Sequence, residues 1–177
     1  MNKLRINNKC IPFEAKDIQG NLIKLSDYKE QKVLLTFFRK ASCPFCNMNL
    51  QGLIKNYSKF EDRGIKIIVL FASSLKDVEK YAGKQNPPFP IIPDGEFNIY
   101  KKYGVDKSFI GMFKAMLNPK KVFKAVTGGF FSLKPMIEEP VIPADFLIDE
   151  NQYIYKAYYG KDFDDHIPIE DVLAWKK

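Results

Sequence analysis

The chain has 177 residues, 46% hydrophobic and 14% aromatic, enough apolar side chain to bury a sizeable core and fold as one domain spanning 1–177. Three cysteines are too few for a disulfide-dense secreted scaffold, and one close pair with a remote Cys10 suits a reducing compartment and a working dithiol. The net charge of +7 raises nucleic acid or anionic lipid as partners, but there is no nucleic-acid signature motif and no run of consecutive basic residues to support the first. Met1 to Asn8 has no apolar core of the signal-peptide kind, and no stretch approaches the roughly 18 to 20 apolar residues of a membrane span. The expectation is a cytoplasmic, soluble protein without membrane contact.

In chain order, Pro12 to Ile18 and Leu22 to Leu25 read as extended pieces joined at Gln19-Gly20-Asn21, a hairpin added to a larger sheet. Val33 to Phe38 is a continuous apolar run, as in a central strand covered on both faces. Beyond Cys43-Pro44-Phe45-Cys46, the residues Leu50, Leu53, Ile54, Tyr57 and Phe60 recur at helical spacing and predict one helix from about Asn47 to Glu61, stopping at Gly64. Ile65 to Phe71 is a second buried strand, which makes a strand, crossover helix and parallel strand of the right-handed kind.

Ser74 to Asp77 is a capping signal for a helix to about Ala82. Asn86-Pro87-Pro88-Phe89-Pro90 enforces an extended loop, Ile91-Ile92 is a short buried segment, and Gly95 to Tyr103 predicts a helix ended by Gly104. The segment 106–140 reads as a helical insertion, with one helix near Ser108 to Leu117, a second starting at Asn118-Pro119, and a break at Gly128-Gly129. It carries six Lys and no acidic residue between Lys107 and Ile137, interleaved with Phe109, Phe113, Phe123, Phe130 and Phe131. Such a pattern reads as a solvated lysine face on amphipathic helices, with a surface for a partner, a second subunit or a membrane interface as the sharper alternative. Phe146 to Ile148 and Tyr153 to Tyr159 form a hairpin about Asp149-Glu150-Asn151-Gln152, and Pro168 to Trp175 predicts a closing helix.

The chemistry concentrates at the cysteine pair. Pro44 fits the first helical position, where its missing N–H costs nothing, so Cys43 takes the N-cap and Cys46 falls in the first turn. Unpaired backbone N–H groups and the positive end of the helix dipole there favour thiolate, the species that attacks. The blander reading is a static disulfide or two small buried hydrophobes. Zinc lacks ligands, since beyond the pair only Cys10 and the single His166 remain, both far along the chain, so no metal or other cofactor is expected. Cys10 reads as structural, with a resolving role left open; His166 reads as a surface or helix-start histidine; Tyr153, Tyr155, Tyr158 and Tyr159 read as strand packing and edge residues.

The order strand, Cys-x-x-Cys, helix, strand, helix, then Ile142-Pro143 before a hairpin, resembles the thioredoxin fold. Pro12-Phe13, Gly20, Leu25-Ser26-Asp27, Leu35-Thr36-Phe37-Phe38-Arg39 and Phe146-Leu147-Ile148-Asp149 resemble the alkyl hydroperoxide reductase and thiol-specific antioxidant superfamily, the peroxiredoxins, over nearly the whole chain. Phe38-Arg39 ahead of the pair, the insertion, and Asp165-His166-Ile167-Pro168 are most similar to its peroxiredoxin-like subgroup with Cys-x-x-Cys. The resemblance implies an α/β, thioredoxin-like fold: a central mixed sheet flanked by helices, with an N-terminal hairpin and a helical insertion at about 106–140. It aligns Cys46 with the peroxidatic cysteine, Cys43 with a catalytic Thr, Arg39 with the conserved Pro, and Pro143 with the catalytic Arg. Losing that Thr and Arg removes side chains that hold peroxide. Pro143 is similar instead to the cis-proline that faces the cysteines of thioredoxin-type oxidoreductases.

The main expectation is therefore thiol-disulfide exchange through Cys43 and Cys46, supported by Pro143, Arg39, Pro44 and Phe45, on a protein or small-molecule disulfide. The alternative is a thiol-dependent peroxidase acting on a hydroperoxide, with Cys46 peroxidatic and Cys43 resolving, regenerated by a thiol reductant such as a thioredoxin-type protein. A third reading, from a different class, is a non-enzymatic redox-responsive binder. A homodimer is left open.

Overall fold

The structure, a computed structural model, describes residues 3–105 and 141–175; the insertion at 106–140, with its two expected helices and its basic, aromatic face, lies outside the described residues. Asp17 organises the first turn: its Oδ1 accepts the N–H groups of Gln19 at 2.9 Å and Asn21 at 2.8 Å. The flanking strands β1 (Glu14–Lys16) and β2 (Leu22–Lys24) pair antiparallel as expected. They form a two-stranded sheet of their own instead of extending the larger one. Three-residue strands with mostly exposed or half-exposed side chains have no second face to bury, and the Ile18 N–H, which donates to the Ile91 carbonyl at 3.0 Å, ties the hairpin to the main sheet.

The main sheet is mixed. Strands β3 (Lys32–Phe38), β4 (Ile65–Phe71), β5 (Ile91–Pro93), β6 (Ala144–Ile148) and β7 (Ile154–Tyr159) lie in the order β5-β4-β3-β6-β7. The first three run parallel, and β6 and β7 pair antiparallel with their neighbours. All seven residues of β3 are buried, as the apolar run required. Strand alternation splits them between two cores. Leu34 and Phe38 pack with Ile67, Val69, Leu50 and Phe60 on one face, Val33, Leu35 and Phe37 with Ile68, Leu70 and Tyr100 on the other. Cys43 and Cys46 belong to the first core and Cys10 to the second.

Helix α1 (Pro44–Lys55) starts earlier than the spacing predicted and is separated from α2 (Tyr57–Asp62), where one continuous helix was expected. Asn56, at φ −103° and ψ 9°, makes the break; its side-chain amide donates to the Gly52 carbonyl at 2.9 Å, offering the backbone an alternative to the helical ladder. Helix α3 (Leu75–Tyr81) carries the expected Ser74 cap, whose hydroxyl accepts the Asp77 N–H at 3.3 Å. Helix α4 (Asn98–Lys102) is shorter than predicted because Phe97 sits at φ +61°. Asp94 caps this turn, its carboxylate accepting the N–H groups of Asn98, Ile99 and Tyr100 at 2.9, 2.7 and 3.1 Å. Helix α5 (Ile169–Leu173) follows Pro168.

The Ile142–Pro143 peptide is trans, as are all peptide bonds among the described residues, where likeness to the thioredoxin-type proline implied cis. The chain runs straight into β6, and the Pro143 carbonyl accepts the Gly160 N–H at 2.9 Å in the manner of a strand residue. Among the described residues no helix is long and apolar enough to cross a membrane.

Candidate active site

Strand β3 delivers its last residue, Phe38, to a loop that ends at Cys43, the N-cap of α1, with Pro44 at the first helical position. Cys43 has extended dihedrals, φ −72° and ψ 124°, and its carbonyl accepts the Asn47 N–H at 3.1 Å. The loop is held from both sides. Ala41 donates its N–H to Ser73 Oγ at 2.9 Å, and Asn47 Nδ2 reaches the carbonyls of Ala41 at 2.6 Å and Cys43 at 2.9 Å. Asn47 is itself oriented by Gln85, whose amide donates to its Oδ1 at 2.7 Å. These ties fix where the first sulfur sits.

Arg39 is the unusual element, a fully buried guanidinium. Its Nε donates to the Val141 carbonyl at 2.7 Å, its Nη1 to Cys43 Sγ at 3.5 Å, and its plane lies over the Phe163 ring with Cζ 3.7 Å from the centroid. Nη2 is buried and has no hydrogen-bond partner among the described residues. A buried arginine is tolerated when paired and stacked, and here the pairing is to sulfur.

The two cysteines are both free and buried but electrostatically unlike. The Cys46 thiol donates toward Cys43, and with the Arg39 charge this overcomes burial and pushes Cys43 down to about 6. The N–H groups of Phe45 and Cys46 add to this as dipoles, short of a formed cap hydrogen bond. Cys46 moves the opposite way: burial, then the hydrogen bond it gives to Cys43, raises it well above the ordinary thiol value. One sulfur is held as thiolate and the other as thiol.

The structure thus brings Cys43, Cys46 and Arg39 together. Pro44 is buried as the helix start, and Phe45 packs into the core with Leu50, so neither offers a face to a substrate. Pro143 connects to the pair through its near neighbour Val141, whose carbonyl Arg39 holds. Cys10 lies across the sheet, donates to Gln152 Oε1 at 3.3 Å, and is raised to about 11 by burial, which disfavours its thiolate. His166 stands two residues ahead of the Pro168 cap of α5, as the helix-start reading had it, and is half-buried instead of at the surface; its ring packs edge-on against Phe38 and its Nδ1 lies 2.9 Å from Asp145 Oδ1. Of the tyrosines, Tyr155 stacks on Trp175, while Tyr158 and Tyr159 donate their hydroxyls to Asp165 and to the Tyr103 carbonyl.

The peroxiredoxin Bcp of Escherichia coli (strain K12) is 26% identical over 113 residues, 63% of this chain and 72% of that protein. The thiol-disulfide oxidoreductase ResA of Halalkalibacterium halodurans is 26% identical over 102 residues, 57% of each. In three dimensions the fold is that of the peroxidoxin BcpB of Mycobacterium tuberculosis, with a TM-score of 0.71 at 17% identity, covering 97% of this chain and 95% of that one. Residues 6–157 match the model of the AhpC/TSA family, and with a thioredoxin-like sheet presenting a thiolate and a thiol at one helix start, the chain belongs to that family of thiol-based redox enzymes.

Proposed function

We propose that the protein is a thiol peroxidase in which Cys43 attacks the peroxide and Cys46 resolves. The observation that carries this reading is the Arg39 guanidinium, which touches the Cys43 sulfur with one arm and on the other has a donor, Nη2, without a partner among the described residues. A peroxidatic site needs a thiolate and a fixed donor for the leaving oxygen, and Arg39 supplies the charge that the family Arg, replaced here by Pro143, does not. Burial of both sulfurs favours a substrate of two oxygen atoms over the exposed disulfide of a folded protein.

The Cys43 thiolate attacks the terminal oxygen of ROOH, the S–O bond forming as the O–O bond breaks, to give Cys43 sulfenic acid and RO⁻, which takes a proton to leave as ROH. The Cys46 thiol then condenses with the sulfenic acid, forming the disulfide and releasing water. An external dithiol, for which a thioredoxin-type protein is the natural class, restores both thiols by exchange and leaves as its own disulfide. The order of attack reverses the assignment that family alignment implies for Cys46, because the charge faces Cys43. The setting is a reducing compartment such as the cytoplasm.

The test is reaction of the reduced protein with hydrogen peroxide, followed by trapping of sulfenic acid with a 1,3-dione and mass spectrometry. Cys46→Ser is expected to accumulate trapped adduct at Cys43, and Cys43→Ser to lose fast oxidation. Adduct at Cys46 in the Cys43→Ser protein at the wild-type rate refutes the assignment. Likeness to ResA keeps thiol-disulfide exchange as a second reading. It predicts sluggish peroxide reaction with brisk reduction of a small disulfide, and the same Cys43 attacks first.

A further inference from the structure

On the face of the sheet that carries α1 and α5, a cavity of about 170 Å³ lies between β3, β6, α1 and the start of α5, and neither Cys43 nor Cys46 lines it. Leu34, Phe38, Leu53 and Val172 give it apolar walls. Its polar end is an organised cluster. Asp145 Oδ1 accepts the Thr36 hydroxyl at 2.5 Å and His166 Nδ1–H at 2.9 Å, while Oδ2 accepts the Ile167 N–H at 2.7 Å. The carboxylate is thereby committed to protein donors on both oxygens, and strand register supplies the pairing, since Thr36 and Asp145 are direct partners across β3 and β6. A neutral imidazole that gives its Nδ1 proton to a carboxylate keeps its lone pair at Nε2.

Among the described residues that Nε2 is buried without a hydrogen-bond partner, and so is Asn49 Nδ2. Both residues line the cavity, so one acceptor and one donor meet a common space. Buried polar atoms in native proteins are satisfied, and two orphans of opposite sense at one pocket specify a group that both donates and accepts. A hydroxyl does this. The volume suits a single ring, since an apolar cavity of about 150 Å³ holds benzene.

We propose that this cavity is a binding site for a small, largely apolar molecule bearing one hydroxyl, about the size of phenol, which donates to His166 Nε2 and accepts from Asn49 Nδ2. The site is separate from the sulfur chemistry, and it stands whichever redox reading of the pair holds.

His166 is the only histidine in the chain, so its imidazole nitrogens give one unambiguous pair of signals in a long-range ¹H–¹⁵N spectrum. Titration of the reduced wild-type protein with phenol, and separately with benzene, reads the site directly. The free protein is expected to show the Nδ1–H tautomer, and phenol to shift the Nε2 resonance saturably with an affinity roughly tenfold above that of benzene, the worth of two ordinary hydrogen bonds. Asn49→Leu should cost phenol about fivefold and leave benzene binding intact. An Nε2–H tautomer, no saturable shift with phenol, or equal affinities for the two probes overturns the proposal.

Discussion

Arg39 Nη1 and Cys43 Sγ stand 3.5 Å apart, four residues along the chain and both enclosed by protein. Charge and sulfur face each other where water cannot screen them, so the guanidinium acts on the thiol more strongly than it would at a surface. Replacing it with an uncharged side chain of similar reach isolates that action. Arg39→Met is expected to slow peroxide reduction by roughly 10²- to 10³-fold, the usual cost of removing a fixed donor from developing negative charge. Stopped-flow kinetics with hydrogen peroxide, beside a circular dichroism spectrum that shows the fold retained, checks this.

The same contact sets a pH profile. With Cys43 held near 6, alkylation of the reduced protein by iodoacetamide should rise as pH climbs through about 6 and level off by neutrality, since only the thiolate reacts and the thiol prevails below that point. The strongest cause of the low value is the hydrogen bond from Cys46, so the midpoint should move upward in Cys46→Ala and less in Cys46→Ser, whose hydroxyl still donates. A midpoint near the ordinary thiol value in the wild type would remove Cys43 as the attacking group.

Cys10 is on the far side of the sheet from the pair. Cys10→Ser keeps a donor for Gln152 and should leave peroxide turnover and the Cys43–Cys46 disulfide unchanged, which non-reducing peptide mapping of the oxidised protein reads. Loss of that disulfide in favour of one that involves Cys10 in the wild type would contradict the separation.

Gly160 is required by close approach: a Cβ there would stand 2.5 Å from the Asp165 carbonyl oxygen and 3.0 Å from that of Pro143, both backbone atoms. Gly160→Ala is expected to cost about 1–3 kcal/mol of stability in urea denaturation. Unchanged stability would mean that the strand following Pro143 is free to shift.

Asp94 accepts three successive N–H groups at the start of α4 and is buried. Asp94→Ala should lower stability by about 2 kcal/mol, at the upper end for a helix cap. The same denaturation measurement decides it.

Much of the frame could be read from the chain because its strands declare themselves locally. Val33 to Phe38 and Ile65 to Phe71 are unbroken apolar runs, and Pro44 marks the helix start that puts Cys43 at the cap. What escaped depends on partners remote in sequence. Arg39 reads as a supporting residue of the cysteine pair, but its burial is not legible locally, because the groups it meets, the Val141 carbonyl and the Phe163 ring, lie more than a hundred residues on. The strand read from Phe146 leaves out Asp145, which the antiparallel register sets beside Thr36, where His166 meets it. The break at Asn56 turns on a side-chain hydrogen bond that competes with the apolar periodicity across it.

Holding one sulfur as thiolate also biases the electron balance of the pair. Fixed positive charge at Arg39 stabilises the reduced state and gives nothing comparable to a neutral disulfide, so oxidation leaves the guanidinium without its counter-charge. Each tenfold of such preference for the reduced form raises the potential by about 30 mV. In the proposed cycle the contact therefore makes a Cys43–Cys46 disulfide a better electron acceptor, so the side chain proposed to prepare the attack would also drive the step that restores the thiols.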